Sequence, residues 1–283
     1  MTAPALAAPR IASLVPSLTE LVVALGLGPC LVARTGYCIH PREALVTTPK
    51  VGGTKDVNLA KLRRLAPTHV LVNVDENRRE TVDAICSWGA DAPEIVITHP
   101  LAPEDNLALV DQLAAAFAGQ PGLAERAAAL KQDLARELMA TRAEGRPIER
   151  VLYLIWRAPW MTVARDTYLS RMLARIGWQT LPALDGGATG AARYPKVDGS
   201  EPWLGEVDRV LLGSEPFAFT AVHVDEARRL CPNARVQLVD GELLSWYGAR
   251  AVSGLAYLRG LAGPDERAGC SDDNASQPAP WTS

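Results

Sequence analysis

Two α/β lobes with mostly parallel sheets, joined by a single long helix and facing each other across a cleft, form the fold class this sequence predicts. Three observations carry it. Short apolar runs alternate with helical segments over the first hundred residues. The same rhythm restarts near residue 150 and continues to residue 261. Between them, from Pro103 to Arg142, no strand signal occurs. A β-α-β-α rhythm implies parallel strands, because parallel neighbours need a crossover and the crossover helix covers the sheet.

The elements follow in order. Ile11–Val15 is an apolar strand. Pro16 then opens a helix in which Ser17 and Glu20 have capping-box spacing, and Gly26 or Gly28 stops it after Leu25. Leu31–Arg34 is a second strand, and Val51-Gly52-Gly53-Thr54 is a tight turn before a helix. Val70–Val74 and Glu94–Thr98 are strands flanking a helix over Glu76 to Trp88. In the middle segment Gly119-Gln120-Pro121-Gly122 separates two helices. The second carries Leu123, Ala127, Leu130, Leu134 and Leu138 on one face, and Gly145-Arg146-Pro147 ends it. A helix of ~20 residues reaches roughly 30 Å, enough to pass from one lobe to the next.

Val151–Ile155 restarts the rhythm as a strand, and Asp166 is placed to cap a helix over Thr167–Ile176. Arg209–Leu212, Val222–Leu230 and Val236–Val239 read as strand, helix and strand, before a last helix over Ala249 to Leu261. The chain thus divides into a flexible segment at 1–9, a first lobe at 10–102, linking helices at 103–146, a second lobe at 147–262 and a disordered tail at 263–283.

Composition narrows the function classes. The 283 residues are 48% hydrophobic and 22% charged, which suits cored lobes. A net charge of −3 supplies no basic footprint for nucleic acid. No apolar run reaches the ~18 residues of a transmembrane helix. The five cysteines are widely spaced and form no C-x-x-C, which argues against a disulfide framework or zinc ribbon. Met1 to Arg10 carry neither a positive n-region nor an apolar h-region. The sequence as written is therefore expected to be cytoplasmic, and periplasmic or extracellular if a signal peptide precedes it. No pattern signals an oligomer, and a monomer is expected.

Ligands of parallel α/β sheets sit beyond the carboxyl ends of the strands, so the residues following each strand are the candidates. They are Pro16, Ser17 and Leu18; Tyr37; Gly53; Asn77; Trp156, Arg157 and Trp160; Arg193 and Tyr194; and Trp246 and Tyr247. This set suits a pocket that covers a large flat ligand by stacking and fixes it with a few hydrogen bonds. Ser17 and Glu20 also serve as a helix cap, and the Gly52-Gly53 turn lacks a P-loop lysine. Cys38 and His40 are the weak metal candidates, but two ligands in one loop do not make a site. No nucleophile–base set is present, so no catalytic residue and no catalytic cofactor are expected.

The segment Arg10-Ile11-Ala12-Ser13-Leu14-Val15-Pro16-Ser17-Leu18-Thr19-Glu20 resembles the opening of class III substrate-binding proteins, which serve ABC importers of cobalamin, ferric siderophores and haem. Pro49-Lys50-Val51-Gly52-Gly53, the approach from Leu62 through Pro67 to Leu71-Val72, and Leu243-Leu244-Ser245-Trp246-Tyr247-Gly248 resemble further stretches of that family. Thr68 stands where the family usually has Asp. The resemblance implies two Rossmann-like lobes on a backbone helix, and a small-molecule ligand of the corrinoid or metal-chelate type: cobalamin, ferric siderophore or haem. It also implies an ABC permease partner docked through a surface carboxylate on each lobe. The candidates are Glu76 or Glu80 on the first lobe and Glu215 on the second, with ordinary solvated carboxylates as the alternative. A cytoplasmic cofactor-handling protein or enzyme of the same fold is the competing expectation.

Overall fold

The structure is a computed structural model that describes residues 8–187 and 189–263. The expected flexible segment at 1–9 and tail at 263–283 lie almost wholly outside the described residues.

The first lobe runs β1 (Ile11–Ser13), α1 (Pro16–Ala24), β2 (Leu31–Arg34), α2 (Leu59–Arg64), β3 (His69–Asn73), α3 (Arg79–Cys86) and β4 (Glu94–Thr98). Its strands pair in parallel in the order β2-β1-β3-β4. Side chains alternate across the sheet, as the two-residue period of a strand requires. Leu71 joins Ile11 and Val96 in the core under α1, while Val70 and Val72 join Ala12 and Ala33 under Leu62 and Ile85. Both faces of the central strands β1 and β3 are covered, so their middles are apolar, while the edge strand β4 leaves Glu94 and Ile97 exposed.

Two helices follow, α4 (Asp105–Ala116) and α5 (Leu123–Ala140). At 18 residues, α5 is about 27 Å long. The expected face is the buried one. Leu123, Ala127 and Leu134 pack in the first-lobe core, with Leu130 against it, and Leu138 packs in the second-lobe core. The stripe therefore crosses from one lobe to the other.

The second lobe contains β5 (Glu149–Leu154), β6 (Trp160–Met161), α6 (Tyr168–Ala174), β7 (Trp178–Thr180), β8 (Lys196–Val197), β9 (Arg209–Gly213), α7 (Val224–Leu230), β10 (Arg235–Val239), α8 (Gly241–Ser245) and α9 (Arg250–Leu261). The main sheet is parallel in the order β10-β9-β5-β7. Leaving aside the β6–β8 ribbon, which is antiparallel, this repeats the first lobe. In each lobe the first strand lies between the second and third, and the fourth lies outside the third. α9 packs on α5 and returns to touch α1. Gly248, at φ 76°, makes that return possible, because a Cβ there would lie 3.2 Å from Leu21 Cβ.

The structure corrects several local expectations. The Ser17–Glu20 capping box does not form. The cap is Val15 and Pro16 occupies the first turn, so Ser17 is already inside the helix, and Glu20 is drawn to Arg250 at 2.7 Å. Thr167, not Asp166, caps α6 by accepting from Ser170 N. Asp166 turns instead to Gly186 N at 3.0 Å. After β10 the chain turns directly into α8, with Asp240 as its cap accepting from Leu243 N.

Because Leu134 is fully buried within the bridging face, Leu134→Ala is expected to destabilise the protein by about 2–4 kcal/mol. A denaturant titration reads this as a lowered midpoint, and a loss below about 0.5 kcal/mol would contradict the role given to α5.

Candidate functional site

The carboxyl ends of both sheets open onto one cleft of about 890 Å3. In each sheet the strand order reverses between the first and third strands, at β1/β3 and at β5/β9. Such a switch point leaves a crevice, because the crossovers leave it in opposite directions. The residues that follow these four strands line the cleft: Pro16 and Ser17, Asp75 and Glu76, Ile155 and Trp156, and Glu215 and Pro216.

Of the expected ligand-binding residues, the structure brings together Pro16, Ser17, Tyr37, Gly53, Trp156, Arg193, Tyr194, Trp246 and Tyr247 on this cleft. Four others stand elsewhere. Leu18 is fully buried in the first-lobe core. Asn77 braces loops behind the wall, donating to Leu14 O at 3.2 Å and Thr54 O at 3.0 Å. Arg157 is held by Glu226 at 2.5 Å. Trp160 stacks on Phe219 with centroids 6.0 Å apart and belongs to the outer core of the second lobe. These four sit in the expected segments, but their side chains turn away from the cleft, Leu18 on the buried face of α1 and the others to loop or side-chain partners. Lys55, Tyr168 and Pro216 also line the cleft. Pro216 falls under the loop-end rule because it follows β9, whereas Lys55 and Tyr168 arrive there only through the tertiary arrangement.

The aromatic walls differ in freedom. Tyr37 is 65% exposed and Trp156 41% exposed, so both offer open ring surface. A Cβ at Gly53 would lie 3.3 Å from the Tyr37 ring, so glycine there leaves the ring its place. Trp246 is fixed: its Nε1 donates to Glu215 Oε1 at 2.6 Å, and the Arg250 guanidinium sits 4.5 Å from its ring centroid. Tyr247 reaches across from the second lobe and donates to Glu76 Oε1 at 2.8 Å.

The polar lining is dominated by carboxylates: Asp56, Asp75, Glu76, Glu215 and Glu242 stand against Lys55 and Arg193. Arg193 is 1% exposed and spans the two lobes, with Nη2 3.4 Å from Asp75 and Nη1 3.8 Å from Asp166. Burial pushes the Glu76 carboxyl up to about 7; the Tyr247 hydroxyl works against this and the negative charge of Glu215 adds to it. Burial also raises Glu215, against the hydrogen bonds from Ser245 and Trp246. Burial raises the Tyr194 phenol as well, helped by Asp75.

The docking expectation is corrected here. Glu76 and Glu215 are not on an outer surface. Both face the cleft with their oxygens engaged inward. Glu80 is exposed in the first turn of α3. Cys38 and His40 make separate contacts. The Cys38 thiol is buried 3.1 Å from Thr35 Oγ1, and His40 Nε2 lies 3.1 Å from Glu242. Among the described residues no group of three or more His, Cys, Asp or Glu is arranged to hold a metal ion. Also among them, no helix is long and apolar enough to cross a membrane.

Fold and cleft together define a two-lobed, helix-linked α/β architecture with a cleft between the lobes. Solved structures share it. The periplasmic vitamin B12-binding protein BtuF of Vibrio cholerae matches with a TM-score of 0.72 at 20% identity, over 88% of this chain and 94% of that one. The periplasmic haem-binding protein HutB of Vibrio cholerae matches with a TM-score of 0.72 at 21% identity, over 91% and 100%. The haem-binding protein RhuT from Roseiflexus sp. RS-1 matches at 0.68 and 21%, over 88% and 95%. The resemblance seen in the opening segment is thereby borne out in the fold. In sequence, the vitamin B12-binding protein of Yersinia pestis (strain Pestoides F) is 27% identical over 181 residues. The match covers 64% of this chain and 62% of that protein, less than two thirds of its length. No family model matches the chain. These relatives are binding proteins by name, not enzymes.

The raised Glu76 carboxyl has a consequence for stability. It holds its proton more tightly in the folded chain than in the unfolded one. Its favourable contribution is therefore complete below the ordinary value of 4.5 and is lost as pH rises through about 7. Glu76→Gln keeps an acceptor for Tyr247 and removes the charge. At pH 8 it is expected to stabilise the protein by on the order of 1–3 kcal/mol relative to the parent, with no gain at pH 4. Denaturant midpoints measured across that range check this, and an equal offset at both ends would contradict it.

Proposed function

We propose that this protein is a substrate-binding protein that captures a corrinoid or similar flat metal chelate between its lobes and delivers it to an ABC importer. The observation that carries the reading is the cleft itself. It lies at the switch points of two parallel sheets, has about 890 Å3, and is walled by open aromatic rings from both lobes, Tyr37 from the first and Trp156 from the second. Sites for small molecules typically have ~300–1,000 Å3 and combine apolar walls with a few polar groups. A second hollow of about 640 Å3, at Met139, Arg142 and Arg171, has no aromatic wall. The names of the structural neighbours and of the Yersinia relative support the ligand class.

Ser245 Oγ donates to Glu215 and the Tyr247 hydroxyl to Glu76, contacts that hold the cleft wall; in line with the binding-protein names of the relatives, the reading is capture and release without chemistry. The ligand-contacting set is then Pro16, Ser17, Tyr37, Gly53, Trp156, Arg193, Tyr194, Trp246 and Tyr247. Exposed Glu80 remains the first-lobe group for a permease, and a single chain forms the complete cleft, consistent with a monomer.

Titration of the purified protein with cyanocobalamin, haemin and a ferric siderophore tests the proposal. Quenching of tryptophan emission and a raised Tm are expected for the corrinoid. Absence of both with all three ligands would sink it. Trp156→Ala removes open ring surface and is expected to weaken binding by roughly 1–3 kcal/mol, about 5- to 150-fold in Kd. An unchanged Kd would remove Trp156 from the site.

A further inference from the structure

The cleft carboxylates do not all carry free charge. Asp56 is 3.4 Å from Arg78. Asp75 is 3.4 Å from Arg193 and 3.5 Å from His99. Glu242 is 2.6 Å from Arg250 and 3.1 Å from His40. Glu76 and Glu215 are different. Their hydrogen bonds come from uncharged donors: the Tyr247 hydroxyl for Glu76, and Ser245 Oγ and Trp246 Nε1 for Glu215. Among the described residues neither forms an ion pair within 4.0 Å. They come from opposite lobes, each from the loop after the third strand of its sheet, and the negative charge of Glu215 raises the cost of charging Glu76.

We propose that Glu76 and Glu215 together select the ligand by the chemistry of its rim: the cleft takes a chelate fringed with hydrogen-bond donors, carboxamide or amine, and rejects the same chelate fringed with carboxylates. The proposal rests on the cleft being the chelate-binding site. Its physical basis is simple. A half-buried carboxylate accepts N–H groups strongly. A ligand carboxylate brought beside it meets like charge in a medium less polarisable than water, where repulsion is several-fold larger than in solvent. Of the two cations on the wall, Arg193 already stands between Asp75 and Asp166. Lys55 Nζ donates to the backbone carbonyl of Asp75 at 2.7 Å and keeps its charge, which offsets part of that on Glu76 without pairing with Glu76 or Glu215 among the described residues.

The test uses the full chain at pH 8 and two matched pairs of ligands. One pair is cyanocobalamin and the monocarboxylate made by hydrolysing one of its side-chain amides. The other is haemin bis-amide and haemin itself. Within each pair the amide form is expected to bind about tenfold tighter or better, read from tryptophan quenching. In the Glu76→Gln/Glu215→Gln double variant the ratio is expected to fall to within about threefold, with each single variant between. Glutamine retains acceptors for Tyr247, Ser245 and Trp246, and a Trp156→Ala control is expected to weaken both members of a pair equally. Equal binding of amide and acid by the parent protein overturns the proposal, as does a ratio that the double variant leaves unchanged. An amide preference on the porphyrin pair with no binding of either corrin would uphold the selectivity and overturn the corrinoid reading. Binding of none of the four overturns both.

Discussion

Leu123, Ala127 and Leu134 bury in the core of the first lobe, and Leu138, one helical turn further on, buries in the core of the second. One continuous apolar stripe on α5 is therefore shared between two hydrophobic cores, and neither lobe can close its own core without it. This constraint sets the lobe-to-lobe geometry. Polar ties of the same kind reinforce it. Asn106 on α4 donates to the Tyr168 hydroxyl at 3.0 Å and accepts from Gly248 N at 2.5 Å. Arg250 on α9 joins Glu20 on α1 to Glu242 on α8. These pairs are partly buried, so they fix relative position more than they add net stability. Their combined effect is to hold α1, α4, α5, α8 and α9 together beside the cleft, which Tyr168 and Glu242 also line.

The repeated strand order explains what lines that cleft. Each parallel sheet is covered on both faces by helices, which leaves the carboxyl edge at the switch point as the place where loop side chains converge. Two sheets of the same topology, set edge to edge, bring equivalent loops to face each other. Glu76 and Glu215 both follow the third strand of their sheet. Trp156 in the second lobe occupies the place that Pro16 and Ser17 hold in the first, after the first strand. The cleft is thus symmetric in backbone and asymmetric in side chains, with most of the aromatic surface on the second lobe.

Much of the architecture was legible because it rests on periodicity. The strands at Leu31–Arg34 and Glu94–Thr98 stand where the apolar runs end, and the bridging face of α5 follows from five apolar positions at helical spacing. What escaped was short or non-local. β7 has three residues and β6 and β8 two each, too few for any alternation to declare itself. Capping was misassigned where proline or a neighbouring hydroxyl shifted the helix start, by two residues from Ser17 to Val15 and by one from Asp166 to Thr167. At the site, loop position identified the neighbourhood but not direction. Arg157 and Trp160 lie in the same segment as Trp156, yet one is taken by Glu226 and the other by Phe219. The inward turn of Glu76 and Glu215 had no local signal at all, because Tyr247 and Trp246, which receive them, are 171 and 31 residues away in sequence.

Those two contacts also link the shape of the cleft to its charge. Glu215 accepts from the Trp246 indole and Glu76 from the Tyr247 hydroxyl, so each carboxylate holds an aromatic wall residue in its rotamer. Gly241 keeps the arrangement tight, since a Cβ there would lie 2.9 Å from Glu215 N. A change to lysine or arginine at either position, the obvious way to welcome an anionic ligand, would remove the acceptor and release the ring. Buried polar contacts of this kind cost more to break than they contribute when made, because the abandoned donor stays desolvated. The charge presented into the cleft and the orientation of the aromatic rings that wall it are therefore not independent features, and one cannot be retuned without rebuilding the other.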